Sequence, residues 1–523
     1  MGMVKLLDCT LRDGGYINNW EFGIDGITSI INKLEQTGIE IIEVGFIKGN
    51  QYDCNKTLFP DVISFAYVIQ NKKPDVMYVG MIDMSNPIPV DRIGEYDGSS
   101  IDGIRVIFKK NKYKEAFAYC KKIKKLGYKL FVNFVNTDVY TDKEFIEGIE
   151  LFNQLQPYGM AIVDTFGSIK RRHFRRLVAI ADNNMAEGIS LCYHAHNNLQ
   201  QAFGNAEELV EMNLKRDVII DACVFGMGRG AGNLNLELFA EYINENYDKK
   251  YRISPMLEIM DEYLCKFYRE RFWGYSLPLY LSASLGCHPN YAIYLAEKNT
   301  LSEKNFNEIL LSISPEDKLV FTQEKAEMYY RRYFNSFYDD KQEIEELEQL
   351  FFGKTVMLLA PGQTLKEYED QIKSKISNEM ITVAIHFYND TWRPEFVFSS
   401  NIRRFTKLLS EKRAKIIATS NIPNHDEAAY SVNFSTFTGN YGELFDNAGL
   451  LVLRLLDKLG VEKVYIAGMD GYNDSSNGNY INIEFEPEHI SKADVRNEMM
   501  SKELCRIASR LQIEFITPTK YQI

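Results

Sequence analysis

No run of apolar residues in this sequence approaches the roughly 18–20 that a membrane span requires. The longest, such as GIEIIEVGF and AGLLVLRLL, fall well short, so no membrane span is expected. An excess of basic residues is also missing: 60 Lys and Arg against 72 Asp and Glu give a net charge of −12 and a pI near 5.3. Proteins that coat nucleic acid or anionic membranes present a basic face, so small molecules are the expected partners. The eight cysteines, at 9, 54, 120, 192, 223, 265, 287 and 505, form no CxxC pair and no regular framework. Reduced thiols follow, in place of a disulfide scaffold or a zinc-thiolate site, and Cys9 and Cys192 read as small packing residues. The opening MGMVKLLDCTLRDGG contains no apolar signal region, and cytoplasmic residence is expected. No internal repeat or low-complexity tract is found.

What is present is an ordinary globular composition, 45% hydrophobic and 25% charged, in a chain of 523 residues. That length exceeds a single core, since cores stop growing at about 250–300 residues. From residue 4 to about 235, eight short β-rich runs alternate with amphipathic stretches: VKLLDCT, IEIIEVGF, VMYVGMID, IDGIRVIF, YKLFVNFVN, MAIVDTFG, ISLCYHAHNN and DVIIDACVFGMG. Each run is nearly continuously apolar, as in a strand covered on both faces. Stretches such as ITSIINKLEQTG carry apolar residues at helical spacing and end at Gly. Eight such units predict an α/β fold, a (β/α)8 barrel over residues 1–250, with an open doubly wound sheet as the alternative. Residues 251–350 read as a helical extension and connector, ending in the acidic KQEIEELEQ. A separate Rossmann-like α/β domain is predicted over 351–523, from strand candidates in KTVMLLAPGQTL, MITVAIHF, EFVFSS, KIIATS and EKVYIAGMD. A break near Glu345 should separate the two halves.

Barrel chemistry gathers at the C-terminal ends of the strands, and the polar residues fall there. The first run ends in Asp8, Thr10, Arg12 and Asp13; later runs give Glu43, Arg105, Asp164 and then His194, His196 and Asn197. Alternation along a strand turns His194 and His196 to the same side. A carboxylate alongside would complete a set of one oxygen and two nitrogen ligands that suits Mn, Zn, Co or similar ions. A His-x-His pair can equally be a hydrogen-bonded core feature. Two of only seven histidines at one strand end favour the metal.

DCTLRDGG after the first strand, HAHNN at the seventh and GMGRGAGNLNLE at the eighth resemble the signatures of the metal-dependent barrel superfamily. That superfamily includes 4-hydroxy-2-oxovalerate aldolase, 3-hydroxy-3-methylglutaryl-CoA lyase and isopropylmalate synthase, and the likeness is greatest to the first branch. The resemblance implies Asp13, His194 and His196 as ligands of a divalent metal, Mn²⁺ before Mg²⁺, Co²⁺ or Zn²⁺, with Asn233 as a further ligand or a neighbour of the set. It implies that Arg12 binds the enolate oxygen of a 2-oxo acid; the competing reading pairs Arg12 with Asp8 or Glu43. One departure stands out: where the aldolase branch has a base histidine after RDG, this chain has Gly15 and Tyr16. His288 is the leading replacement, with Tyr291 beside it and Tyr16 as a further candidate.

In the last third, KTVMLLAPGQTL has the strand, turn and helix order of a phosphate cradle. FDNAGLLVLRLLDKLGVEKVYIAGMDGYN and EFVFSSN resemble sialyltransferase-like and 6-hydroxymethylpterin pyrophosphokinase-like proteins. That likeness implies Gly362, Gln363, Thr364, Asn401, Asn447 and Asp470 near a nucleotide or phosphorylated sugar; alternatively, Gly468 and Asp470 merely end a strand. The expected activity is an aldolase joining or cleaving a pyruvate enolate and an aldehyde, giving a 4-hydroxy-2-oxo acid or a 3-deoxy-2-ulosonic acid. The fused domain tilts the aldehyde toward a sugar or sugar nucleotide and the setting toward surface polysaccharide biosynthesis. A homo-oligomer is expected. An acyl-CoA-dependent Claisen enzyme and a binding module with lapsed catalysis are the alternatives.

Overall fold

The computed structural model describes residues 2–49, 51–298, 301, 303–334, 338–411, 413–438, 444, 446–473, 480 and 493–523. The chain divides into two compact units, 1–290 and 291–523. The first is the barrel. Its strands are β1 (Val4–Asp8), β2 (Ile41–Ile47), a two-residue β3 (Leu58–Phe59), β4 (Met77–Asp83), β5 (Gly103–Phe108), β6 (Lys129–Phe134), β7 (Gly159–Asp164), β8 (Ser190–Ala195) and β9 (Val218–Ala222). All pair in parallel, and β1 hydrogen-bonds to both β9 and β2, closing a ring of eight. These eight are the runs read from the sequence. The short β3 was not foreseen; it pairs with the C-terminal end of β2 beyond the reach of β1.

Alternation sorts each strand between two cores. Outward residues join the large layer packed under the helices, including Leu6, Ile42, Ile104 and Ile220. Inward residues form a separate plug of Leu7, Cys9, Ile41, Val79, Phe131, Ala161, Cys192, Ile219 and Cys223. The cysteines at 9 and 192 are therefore packing residues, and all eight thiols are free. Continuing the parity from this plug, Glu43 follows Ile41, Arg105 follows Gly103, His194 follows Cys192 and Asp221 follows Ile219 on the inward face. A charged layer thus sits above the apolar plug, toward the C-terminal mouth.

The stretch after the barrel is helical, as expected, from Ser254–Ile259 to Lys341–Phe351. The division between units falls inside it, so the helices from Glu303–Ser312 onward group with the sheet that follows, and the expected boundary at 351 lies within the second unit. That unit holds a seven-stranded parallel sheet. Its strands are β10 (Thr355–Leu359), β11 (Ile381–Ile385), β12 (Phe396–Ser399), β13 (Lys415–Thr419), β14 (Tyr430–Val432), β15 (Lys463–Ala467) and β16 (Gln512–Phe515), in the order 14-13-12-11-10-15-16. The edge strands β14 and β16 were not read from the sequence, being short and, in β16, without a fully buried residue. Among the described residues no helix is long and apolar enough to cross a membrane.

Candidate active site

The turn after β1 carries Arg12 and Asp13, and the end of β8 carries His194 and, one residue beyond, His196. All four are buried. One ligand atom from each of Asp13, His194 and His196 lies within 4.8 Å of the others, and Asp13 Oδ2 is 3.7 Å from His196 Nε2. Each ligand is held from behind. His194 Nδ1 faces Asp221 Oδ2 at 3.1 Å, a contact that orients the ring from behind. Asn233 Nδ2 donates to Asp13 Oδ2 at 2.6 Å and to the Met227 carbonyl at 3.0 Å, so Asn233 stands beside the set as a donor to one of its members. A Cβ at Gly228 would lie 2.1 Å from Asn233 Nδ2, so only glycine allows this approach.

The charges favour the ligand state. Burial opposes ionisation of Asp13, but the Arg12 guanidinium holds its carboxyl well below the usual range. Burial pushes His196 down to about 3, against Asp13, so its imidazole is neutral at physiological pH. An ionised carboxylate and a neutral imidazole are forms in which these groups bind a divalent ion. Buried polar atoms without a hydrogen-bond partner among the described residues include His196 Nδ1 and Asn233 Oδ1, so the site retains polar capacity for a bound group. The residues fit a divalent metal.

Arg12 is ion-paired in the barrel, as its competing reading has it. Its Nε donates to Glu43 at 2.7 Å and its Nη1 pairs with Asp13; Asp8 is not its partner, because both carboxylate oxygens of Asp8 accept from Thr10. Glu43 also lies 3.1 Å from Arg105, whose other nitrogen pairs with Asp221. A chain of alternating charge therefore runs Asp13, Arg12, Glu43, Arg105, Asp221, His194 through the barrel interior. Asp221 was missed in the sequence, although its inward parity within DVIIDACV was available. Asp164 serves its own loop, accepting from the N–H groups of Ser168 and Ile169, and Asn197 caps Ala202.

The base candidates are separated. His288 belongs to the barrel unit, where its ring packs on Phe166, the second residue past β7, at 5.4 Å. Burial, then the charges of Arg229 and Lys109, push it down to about 3. Tyr291 falls in the second unit, where its hydroxyl donates to the carbonyls of Asp317 and Val320. Tyr16 stands against Trp20 and under the Arg229 guanidinium, and burial followed by the Asp13 charge raises its phenol, a poor setting for a base. The missing histidine has a steric counterpart: a Cβ on Gly15 would lie 2.0 Å from the Trp20 ring, whose Nε1 donates to the Arg12 carbonyl.

In the second unit the sheet order reverses between β10 and β15, and ligands of such sheets bind outside the strand ends at that point. A cavity of about 350 Å³ lies there, lined by Gly362, Asn401, Asn447 and Asp470 among the expected residues. Gln363 and Thr364 do not line it. The expected phosphate cradle at APGQTL is closed by the protein itself: the Thr364 N–H donates to Asp470 at 2.9 Å, and the Thr364 hydroxyl pairs with the same carboxylate. The helix there is only four residues long. Arg404, Arg496 and His386, which the sequence reading passed over, also line the cavity, as does the start of the eleven-residue helix Ala448–Lys458, capped by Asn447.

Comparison with known proteins agrees with the barrel's geometry. The HMGL-like family model matches residues 107–261. An oxaloacetate decarboxylase of Mycobacterium tuberculosis is 23% identical over 240 residues, 44% of this chain and 67% of that protein. A 4-hydroxy-2-oxovalerate aldolase of Thermomicrobium roseum is 26% identical over 267 residues, 49% of this chain and 69% of its own. The crystal structure of the N-terminal domain of a Bacteroides vulgatus protein, described as a candidate aldolase, superposes with a TM-score of 0.50 at 23% identity. It covers 59% of this chain and 100% of its own. The N-terminal unit is a barrel that is similar, over residues 107–261, to the HMGL-like family. Its relatives are aldolases and lyases, and the chain is an enzyme of that class, a carbon–carbon lyase.

Proposed function

We propose that the barrel is a divalent-metal-dependent aldolase that forms or cleaves the bond between a pyruvate-derived enolate and an aldehyde. The observation that carries this reading is the convergence of Asp13, His194 and His196 with a buried guanidinium in contact with one of them. Breaking a carbon–carbon bond next to a ketone leaves an enolate, and a bound divalent ion, Mn²⁺ by preference, would stabilise its oxygen as a Lewis acid. Arg12 supplies a second positive charge, its fork oriented by Glu43, and such preorganised charge is the largest single contribution in many sites. His288, neutral and at the mouth, takes the hydroxyl proton of the 4-hydroxy-2-oxo acid in the cleavage direction. The relatives named 4-hydroxy-2-oxovalerate aldolase favour this reading over acyl-CoA chemistry.

Full-length protein loaded with Mn²⁺ and given pyruvate in deuterated water is expected to exchange the pyruvate methyl protons, and with a panel of aldehydes to give adducts whose mass equals the sum of the two reactants. Release of coenzyme A from acyl-CoA without pyruvate exchange would replace this reading by the Claisen one.

For the second unit we propose a nucleotide or sugar-phosphate site in the cavity between the ends of β10 and β15. Two arginines supply cations for phosphate, and Asn401, Asn447 and Asp470 supply polar groups for a sugar. A pairing of aldolase and sugar-nucleotide site fits a role in surface carbohydrate synthesis. Calorimetric titration of the full-length protein with uridine diphosphate is expected to show saturable binding, weakened about tenfold in Arg404→Ala. Heats unchanged from buffer would contradict the site.

A further inference from the structure

Cations ring the mouth of the barrel. Lys48 follows β2, Lys109 follows β5 and Arg229 follows β9, so all three stand at the C-terminal ends of the strands, on the side where the ligand set lies. Among the described residues no carboxylate forms an ion pair with any of them. Two of them stand by aromatic rings: the Lys48 ammonium is 4.7 Å from the Trp20 ring and 4.8 Å from Phe46, and the Arg229 guanidinium is 5.4 Å from Tyr16. Tyr16 and Trp20 meet edge to face at 4.8 Å, and Phe46 packs on Trp20 at 5.8 Å. The three rings therefore form one floor, with Lys48 at one edge and Arg229 at another. Arg12 adjoins the same floor, its guanidinium 5.7 Å from Phe46.

This arrangement runs against the rest of the molecule, whose net charge is −12. A half-buried cation without a countercharge is costly, and burial lowers the Lys48 ammonium, with only the more distant Asp83 acting the other way. Asp83 is occupied by its own loop, accepting from the Ser85 N–H at 2.7 Å. The same excess of positive charge reaches His288 from Arg229 and Lys109. Among the described residues no ion pair uses these charges, and the reaction's 2-oxo acid brings only one carboxylate to the site.

We propose that the aldehyde accepted at this mouth carries its own anionic group, a phosphate or a carboxylate, which Lys48 and Arg229 hold over the floor of Tyr16, Trp20 and Phe46. This rests on the pyruvate-aldolase reading and names the class of its second substrate. An anion placed there would also offset the charges that depress His288, bringing that imidazole closer to the basicity a proton acceptor needs.

The test is calorimetric titration of full-length, Mn²⁺-loaded protein, without pyruvate, with matched aldehydes. D-glyceraldehyde 3-phosphate and succinic semialdehyde represent the two anions; D-glyceraldehyde and butanal are their neutral counterparts. At least one anionic aldehyde should bind about tenfold or more tightly than its neutral partner, the effect of one charge-assisted contact at a half-buried site, and the tighter of the two identifies the anion. Lys48→Met and Arg229→Gln should each erase most of that preference. Neither residue has an ion pair to lose among the described residues, and Lys109→Gln, at an exposed position, serves as a third variant with a smaller effect. Equal affinity for charged and neutral aldehydes, or a preference untouched in both main variants, would overturn the proposal. Methyl-proton exchange in pyruvate reads the underlying assignment separately. Preference without exchange upholds the anion site and contradicts the aldolase, whereas exchange without preference does the reverse.

Discussion

His194→Ala and Asp13→Ala are expected to purify with metal bound at least about a hundredfold more weakly than the wild type, and without measurable turnover. Losing even a residue that only orients a ligand costs about 10–100-fold in affinity, and these substitutions remove a ligand outright from a set of three. The two variants should differ in a second respect. Asp13 is the partner of Arg12 and of Asn233, so Asp13→Ala also leaves a buried guanidinium with Glu43 alone and should lower thermal stability more than His194→Ala does. Elemental analysis of the purified proteins and a melting curve measure both effects. Wild-type metal content in His194→Ala would move the metal elsewhere.

Arg12→Lys is expected to keep its metal and lose about a hundredfold to a thousandfold in rate, the size of effect found when one preorganised donor to a developing anion is removed. Arg12 reaches Glu43 through Nε and Asp13 through Nη1. A lysine ammonium is a point charge without that fork and cannot span the two carboxylates while facing the substrate. Its positive charge still sits beside Asp13, so that carboxylate stays ionised and the ligand set persists. Steady-state rates alongside metal content separate the two roles. Near-normal activity would show that another group binds the enolate oxygen.

The parts of this molecule that were legible in its sequence are those written in local pattern. Eight apolar runs at even spacing marked the barrel strands because strands covered on both faces have little else to show. The gathering of Asp13, His194 and His196 was legible because the two histidines alternate in HAHNN and the resemblance carried by DCTLRDGG supplied Asp13. What escaped depends on partners remote in sequence. Asp221 looks like a polar interruption of an apolar strand until His194 and Arg105 are brought against it. The turn at Gly362 reads as a phosphate cradle until Asp470, 106 residues after Thr364, takes its donors. Gly15 reads as a lost histidine, and only the fold shows Trp20 in the space a side chain would need. The division after Asn290 was hidden because helices on both sides of it share one composition, and compactness, not sequence, assigns them.

The central claim is that metal, Arg12 and the barrel together generate an enolate from pyruvate. It is tested most directly by following the pyruvate methyl signal in deuterated water by proton NMR, using the full-length protein with Mn²⁺ removed before each spectrum is recorded. The account predicts loss of the methyl signal at a rate proportional to protein, abolished by prior chelation of the metal and by His194→Ala, and reduced about a hundredfold or more in Arg12→Lys. A methyl signal that persists at the rate of metal alone, in protein shown to carry its metal, would contradict it.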